Sequence, residues 1–257
     1  LRIAQREKIT LLGISAKYID ALRKSKPNLK FKYKLSKLKT ICSTGSPLSE
    51  QGFRYVYHNI KRNVHLSSIS GGTDIVSCFV LGNIYQPVNI GEIQNKGLGL
   101  DVDVFSDTGK SLKNIKGELV CKNPFPSMPL NFWNDKNDNK FIKAYFNRFK
   151  NVWHHGDYAE VKNSKGFIIH GRSDTTLNPG GVRLGTAEIY SEVEKFKEIK
   201  QSIVLGKSWD NDVRIVLFIV MNKNFSFNNF LMSKIKRQIK INTSPRHVPS
   251  KVLVVKD

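Results

Sequence analysis

Twenty residues, Gly171–Tyr190 (GRSDTTLNPGGVRLGTAEIY), restrict what this chain can fold into more than any other stretch. Pro179 fixes one backbone angle, and Gly180 and Gly181 free the next two, so the chain turns sharply there and can approach a ligand closely. Thr186, followed by Glu188 and an apolar run, reads as the N-terminus of a helix. Arg172 and Arg183 flank the turn as two rigid forks of donors, matched to a phosphate or a ribose-phosphate. Charge, turn and helix start together imply a nucleotide site on a hinge-like loop.

The rest of the chain has to supply a scaffold for that loop. With 257 residues and 40% hydrophobic content it can bury one large core or two smaller ones. Cys42, Cys78 and Cys121 lie far apart, without a CxxC or a histidine at zinc-finger spacing, which argues against a disulfide scaffold or a structural zinc site. The expected compartment is therefore the cytoplasm. No signal peptide is visible, and the longest apolar run, Ile215–Met221, is too short to span a bilayer. The formal charge of +21 comes from 42 Lys and Arg against 21 Asp and Glu. Phosphate neutralisation could use such a charge for nucleic acid. However, the lysines are spread along the chain and, apart from Lys24–Lys39, are not clustered, so neither a nucleic acid nor a membrane is expected as partner. A nucleic-acid-binding protein with incidental glycine turns remains the rival of another class; its binding would weaken steeply with salt and ignore ATP.

Periodicity predicts an α/β layer followed by a β-rich stretch and then an α+β segment. Residues 3–24 carry apolar positions at helical spacing, and Pro27 breaks them. Leu38–Ser43 reads as a buried strand, Ser49–Ile60 as a helix and Val64–Ser68 as a second strand. Between Ile75 and Ile169, short β-rich runs separated by Gly, Asp and Asn imply a small barrel or distorted sheet. Beyond Arg172 the expected order is helix Thr186–Glu194, strands Gln201–Lys207 and Val213–Asn222, helix Phe227–Ile241 and strand Lys251–Val255. The expected domain boundary falls at Arg172–Thr175, giving a first domain over 1–172 (α/β to 75, β-rich from 76) and a second over 173–257.

Three upstream segments carry chemistry. Thr44-Gly45-Ser46-Pro47-Leu48 follows a strand and can lay peptide edges against a flat ring such as adenine; an ordinary turn is the alternative. In Ser67–Ile75 (SSISGGTDI), Gly71 and Gly72 permit close backbone approach, Thr73 offers a hydroxyl to phosphate, and Asp74 could accept from a ligand or hold magnesium. Gly-Gly-Thr also occurs in loops that bind nothing. In Trp153–Glu160 (WHHGDYAE), Asp157 can accept from both ribose hydroxyls, or simply form a turn. His154 and His155 are adjacent on a strand and point to opposite faces, so they cannot share one metal and read as structural or surface residues.

TGSPL, SGGTD, HGD, GR-x-D and GG-x-R-x-G-x-x-E-I, in this order over nearly the whole chain, resemble the adenylate-forming acyl-CoA synthetases. GELVCKNPFPSMPLNFW, HHGDYAE and GRSDTTLNPGGVRLGTAEIY are similar to the members that activate acetoacetate. The resemblance implies the C-terminal part of a large AMP-binding domain, an α/β layer plus small β-barrel, and a mobile α+β lid. It implies ATP, magnesium and coenzyme A as cofactors and co-substrates, and acetoacetate as the acid. Members join an acid to AMP with release of pyrophosphate, and coenzyme A then displaces AMP.

Residue by residue, Gly45, Ser46 and Pro47 match the adenine contact, Thr73 the phosphate-binding threonine and Asp157 the ribose aspartate. Arg172 matches a second ribose contact, Asp174 the hinge residue, Arg183 the phosphate-directed arginine, and Gly181 the coenzyme A tunnel. Thr73 and Arg183 are the expected catalytic pair. Asp74 stands where the family often has a magnesium-binding glutamate. Gly71 and Gly72 stand where acetyl-CoA synthetases have a tryptophan wall, which implies a deeper acyl pocket that Gly71→Trp would shorten towards acetate. Another short- or medium-chain acid is the rival substrate. Opening on Leu1 and stopping at Asp257, the chain reads as a fragment without the ATP phosphate loop or the C-terminal lysine, and is expected not to form the adenylate alone.

Overall fold

A strand interrupts the helix expected over residues 3–24. In the computed structural model, α1 (Arg2–Arg6) ends where Lys8 takes a φ of 52°, β1 (Leu11–Ser15) follows, and α2 (Ala16–Ser25) resumes the helix. The reason is tertiary. β1 runs parallel to β2 (Thr40–Thr44), from Leu11↔Thr40 to Ser15↔Thr44, and the carbonyl of Thr10 accepts from the N–H groups of Lys39 and Thr40. Leu12 and Ile14 pack on the same core that a helix would have reached, while β2 gains a hydrogen-bonded neighbour. The description covers residues 1–25, 29–177, 179, 182, 184–210 and 212–256, and the chain divides into two units, Leu1–Ile169 and His170–Asp257.

In the first unit, α3 (Leu29–Lys32) precedes β2, and α4 (Glu50–Tyr55) is capped by the Ser49 hydroxyl, which accepts from Gly52 N–H. A π-turn over Val56–Ile60 leads to β3 (His65–Ser68), which runs parallel to β2. Ile19, Leu38, Ile41, Phe53 and Leu66 fill the core of this three-stranded parallel layer. β4 (Ser70–Gly72) and β5 (Ser77–Leu81) then form an antiparallel pair extended by β6 (Asn95–Lys96).

β7 (Val102–Phe105), β8 (Gly117–Cys121), β9 (Trp153–Val161) and β10 (Phe167–Arg172) make a four-stranded sheet in the order β10-β9-β8-β7. Among the described residues, the β-rich stretch is therefore two open sheets rather than one closed ladder. A helix that the turn-rich sequence hides, α5 (Asn139–Tyr145), lies before β9. Its start is fixed by the Asp135 carboxylate, which accepts from the N–H groups of Lys140 and Phe141, and Phe141 enters the core beside Trp153.

The second unit contains α6 (Thr186–Val193), β11 (Ile199–Trp209), β12 (Asp212–Met221), α7 (Asn229–Asn242) and β13 (Lys251–Val254). These agree closely with the expected helices and strands. β11 and β12 pair antiparallel, β12 and β13 parallel, and Ile189, Leu217, Ile219, Ile235 and Ile239 form the core. Glu192 on α6, though buried, accepts from the side-chain amides of Gln238 (3.0 Å) and Asn242 (2.8 Å) on α7. Together with the Lys195 ammonium on Oε1, that pairing makes a buried carboxylate tolerable there.

Candidate functional site

Strand polarity decides where a site can lie in the first unit. β1, β2 and β3 are parallel, so their C-terminal ends, Ser15, Thr44 and Ser68, share one edge of the sheet. Ligands of open parallel α/β sheets bind outside that edge. Gly45, Ser46 and Pro47 leave it directly after β2, and Gly45 has a φ of 83°, a left-handed conformation that strains residues with a Cβ. The segment carrying Gly71, Gly72, Thr73 and Asp74 leaves the neighbouring strand on the same edge.

Asp157 meets the second of these segments, at Ser70, from the other sheet. β9 bulges: Glu118 faces Tyr158 and Val120 faces His154, so Leu119 alone lies opposite His155, Gly156 and Asp157. Gly156 supports the bulge with a φ of 80°. The Ser70 hydroxyl donates to Asp157 Oδ2 at 3.3 Å, and His155 Nε2 lies 3.9 Å from the same oxygen. Asp157 is buried. A buried carboxylate with aimed donors is a fixed acceptor, which is what recognition of a sugar diol requires.

Thr73 and Asp74 are exposed on a turn pinned by Ile75, which is fully buried. Asp74 Oδ2 accepts from the Tyr145 hydroxyl at 2.6 Å, and Oδ1 accepts from Ile75 N–H at 3.2 Å. No group of three or more His, Cys, Asp or Glu side chains that could hold a metal occurs among the described residues. Asp74 therefore offers magnesium one carboxylate, which fits an ion whose remaining oxygens come from phosphates and water, but not an all-protein cage.

Each of the two glycines lies against protein atoms. A Cβ on Gly71 would overlap the carbonyl oxygen of Ser77 and lie 2.6 Å from Cys78 Cα, because β5 passes directly over it. A Cβ on Gly72 would meet the Asp74 carboxylate and lie 2.9 Å from His155 Cε1. Gly71 thus serves strand pairing, and Gly72 makes room for His155.

His154 and His155 do project to opposite sides. His154 Nε2 contacts Glu118 Oε2 at 2.9 Å, and the Arg148 guanidinium, with Nη1 2.9 Å from Oε1, compensates the charge of the fully buried Glu118. His155 is itself buried, packed edge-on against Phe79 with centroids 4.6 Å apart. His155, which reads in the sequence as a structural or surface residue, also faces Asp157, a contact that no sequence pattern signals. Ser70 and Tyr145 gave no sequence signal as partners, since neither belongs to a recognisable pattern.

In the second unit, Arg172 and Asp174 are exposed neighbours at the start of a short 3-10 turn, Ser173–Thr175, with Nε and Oδ1 3.5 Å apart. Gly171 ahead of them has a φ of 122°. Gly181 and Arg183 lie outside the described residues. The α6 helix begins at Thr186, one residue beyond its Gly185 cap, and the Glu188 carboxylate accepts from Gly185 N–H at 3.2 Å. His247 Nε2 also contacts that carboxylate, at 3.3 Å.

Burial raises all three thiols above the ordinary cysteine value. Desolvation leads at each, opposed at Cys42 by a hydrogen bond with Ser67 and reinforced at Cys78 by Cys42. A raised thiol pKa leaves less thiolate at neutral pH. Iodoacetamide should accordingly label the native chain slowly near neutrality and faster as pH rises. Cys121, the buried one, should react last, and rapid labelling of it at neutral pH by peptide mass spectrometry would contradict this.

No protein-family model matches the chain. It is 54% identical over 254 residues to an acetoacetyl-coenzyme A synthetase of Rhizobium meliloti, covering 99% of this chain and 39% of that protein. It is 45% identical over 250 residues to an acetoacetyl-CoA synthetase of Gallus gallus, covering 96% and 38%. A solved acetoacetyl-CoA synthetase from Streptomyces lividans superposes with a TM-score of 0.91 at 39% identity, over 100% of this chain and 39% of that one. The chain is thus similar to acetoacetyl-CoA synthetases and spans about 39% of the first-named relative's length. No helix among the described residues is long and apolar enough to cross a membrane.

Proposed function

We propose that this chain forms part of an AMP-forming acetoacetate–CoA ligase and carries the adenosine side of its active site. The observation that carries the reading is the convergence of three loops. Gly45–Pro47 and Gly71–Asp74 leave one edge of the parallel layer, and the Ser70 hydroxyl bonds the buried Asp157. The Rhizobium and chicken relatives, named for acetoacetyl-CoA synthesis, support the acid and the reaction.

In this reading the acetoacetate carboxylate attacks the α-phosphorus of ATP, the bond to pyrophosphate breaks, and acetoacetyl-AMP forms. The thiol of coenzyme A then attacks the acyl carbon and AMP leaves. Gly45, Ser46 and Pro47 present their peptide edges to adenine. The family resemblance assigns the ribose hydroxyls to Asp157 and Arg172, and the charge that develops on phosphate to Thr73 and Arg183. Magnesium, when bound, would neutralise phosphate charge at Asp74. The family resemblance gives Asp174 the hinge role and Gly181 the coenzyme A path. The small-barrel description of the β-rich stretch belongs to the family resemblance.

The test exchanges the matching 254-residue segment of the Rhizobium synthetase for this chain. The chimera should catalyse pyrophosphate exchange into ATP with acetoacetate, and more slowly with acetate or medium-chain acids. A folded chimera that is active only with another acid would replace acetoacetate as the substrate, and one inactive with every acid would sink the proposal. Asp157→Asn in the same chimera should lower kcat/KM for ATP by about 10- to 100-fold, the range expected for hydrogen bonds to a charged acceptor.

A further inference from the structure

Asp157 is held by more than its own strand. Trp153, two strand turns earlier on β9, is 1% exposed, and its indole Nε1–H points at His155 Nδ1 from 3.5 Å. With Nδ1 accepting, the ring proton sits on Nε2, the nitrogen that faces Asp157 Oδ2 at 3.9 Å. That separation is an electrostatic contact rather than a hydrogen bond, and it lies on the same oxygen to which Ser70 donates. Phe79 closes one side of the imidazole, and Gly72 approaches its Cε1 so closely that no side chain fits between them. His155 is therefore fixed by packing and by one aimed donor.

We infer that His155 is a positioning residue for Asp157, and that Trp153 sets its tautomer and orientation. The inference rests on the reading of Asp157 as the ribose acceptor. Trp153 sends its N–H to His155 while Tyr145 stacks on its ring face at 3.7 Å, so Trp153→Phe removes the donor and keeps a ring for the stack. His155→Gln keeps a side-chain N–H near the position of Nε2, whereas His155→Ala keeps none.

The experiment measures binding of AMP and of 2′,3′-dideoxy-AMP to the 257-residue chain by calorimetry, with far-UV circular dichroism on each variant. The unsubstituted chain should prefer AMP by about tenfold or more, as lost hydrogen bonds to an ionised acceptor predict. His155→Ala should bring that ratio close to one while leaving dideoxy-AMP affinity unchanged. Trp153→Phe should lower the ratio in the same direction, and His155→Gln should restore most of it. Variants that keep the full ratio would overturn the positioning role and leave Asp157's own role standing. Equal loss of affinity for both nucleotides, unrescued by glutamine, would mean a purely structural histidine and would also overturn it. If the unsubstituted chain binds the two nucleotides equally, or neither, the ribose reading fails and the inference falls with it.

Discussion

Gly71→Trp will abolish the pairing of β4 with β5 instead of retuning an acyl pocket. The obstacle at Gly71 is backbone: Ser77 O and Cys78 Cα sit where the first side-chain carbon would go, and a strand already paired on both sides cannot yield as a flexible side chain would. Even Gly71→Ala should lower the unfolding free energy by about 2–3 kcal/mol, the upper range for inserting atoms into a packed interior. Gly72→Ala should cost less, because it meets side chains rather than backbone: the exposed Asp74 carboxylate can rotate away at the expense of the Tyr145 contact, and His155 Cε1, at 2.9 Å, must shift slightly. Urea unfolding followed by circular dichroism distinguishes the two. A Gly71→Ala variant within about 0.5 kcal/mol of the parent, the range of an ordinary surface substitution, would show that β5 does not lie over this glycine. If acetoacetate is preferred over acetate, the cause must then be sought elsewhere than at this position.

The distinction between Gly71 and Gly72 shows where sequence reasoning stops. Two adjacent glycines in a motif read as close approach to a ligand, but close approach to a neighbouring strand needs the same lack of a side chain. Only the register Gly71↔Cys78 separates the cases. The helices and strands of the second unit were legible because α6 and α7 each carry apolar residues at helical spacing beneath clear caps, with Asn228 accepting from Leu231 N–H at α7. The first helix was misjudged because the apolar spacing of residues 3–24 also serves a short parallel strand, and pairing with β2 depends on residues about thirty positions away. The three nucleotide-type loops stood out by their glycines and polar side chains. The shared edge of the first two rests on strand polarity, and the contact of Asp157 with Ser70 on a β9 bulge, neither of which a local pattern announces.

Trp153→Ala should produce the largest stability loss of any single truncation in the first unit, about 3–5 kcal/mol by analogy with other buried aromatic deletions. Trp153 is 1% exposed and sits at the centre of an aromatic cluster. Its ring centroid lies 5.5 Å from Phe125, 5.9 Å from Phe146, 6.2 Å from Phe141 and 6.3 Å from Phe79, with Tyr145 stacked on one face. These rings come from β5, from α5 and from the loops flanking it, so no neighbour can fill the void without dragging its own backbone along. Trp153→Phe should cost less than half as much, because it retains a ring at the same depth. The emission spectrum provides an independent control, since Trp133 is 92% exposed and Trp209 49%, which leaves Trp153 as the buried fluorophore. The parent should lose a blue-shifted component on unfolding, and Trp153→Phe should lack that component while still folded. A loss below about 1 kcal/mol for Trp153→Ala would mean that the cluster repacks freely around the vacancy. The tryptophan would then no longer be a rigid support for His155, and the positioning of Asp157 would have to come without it.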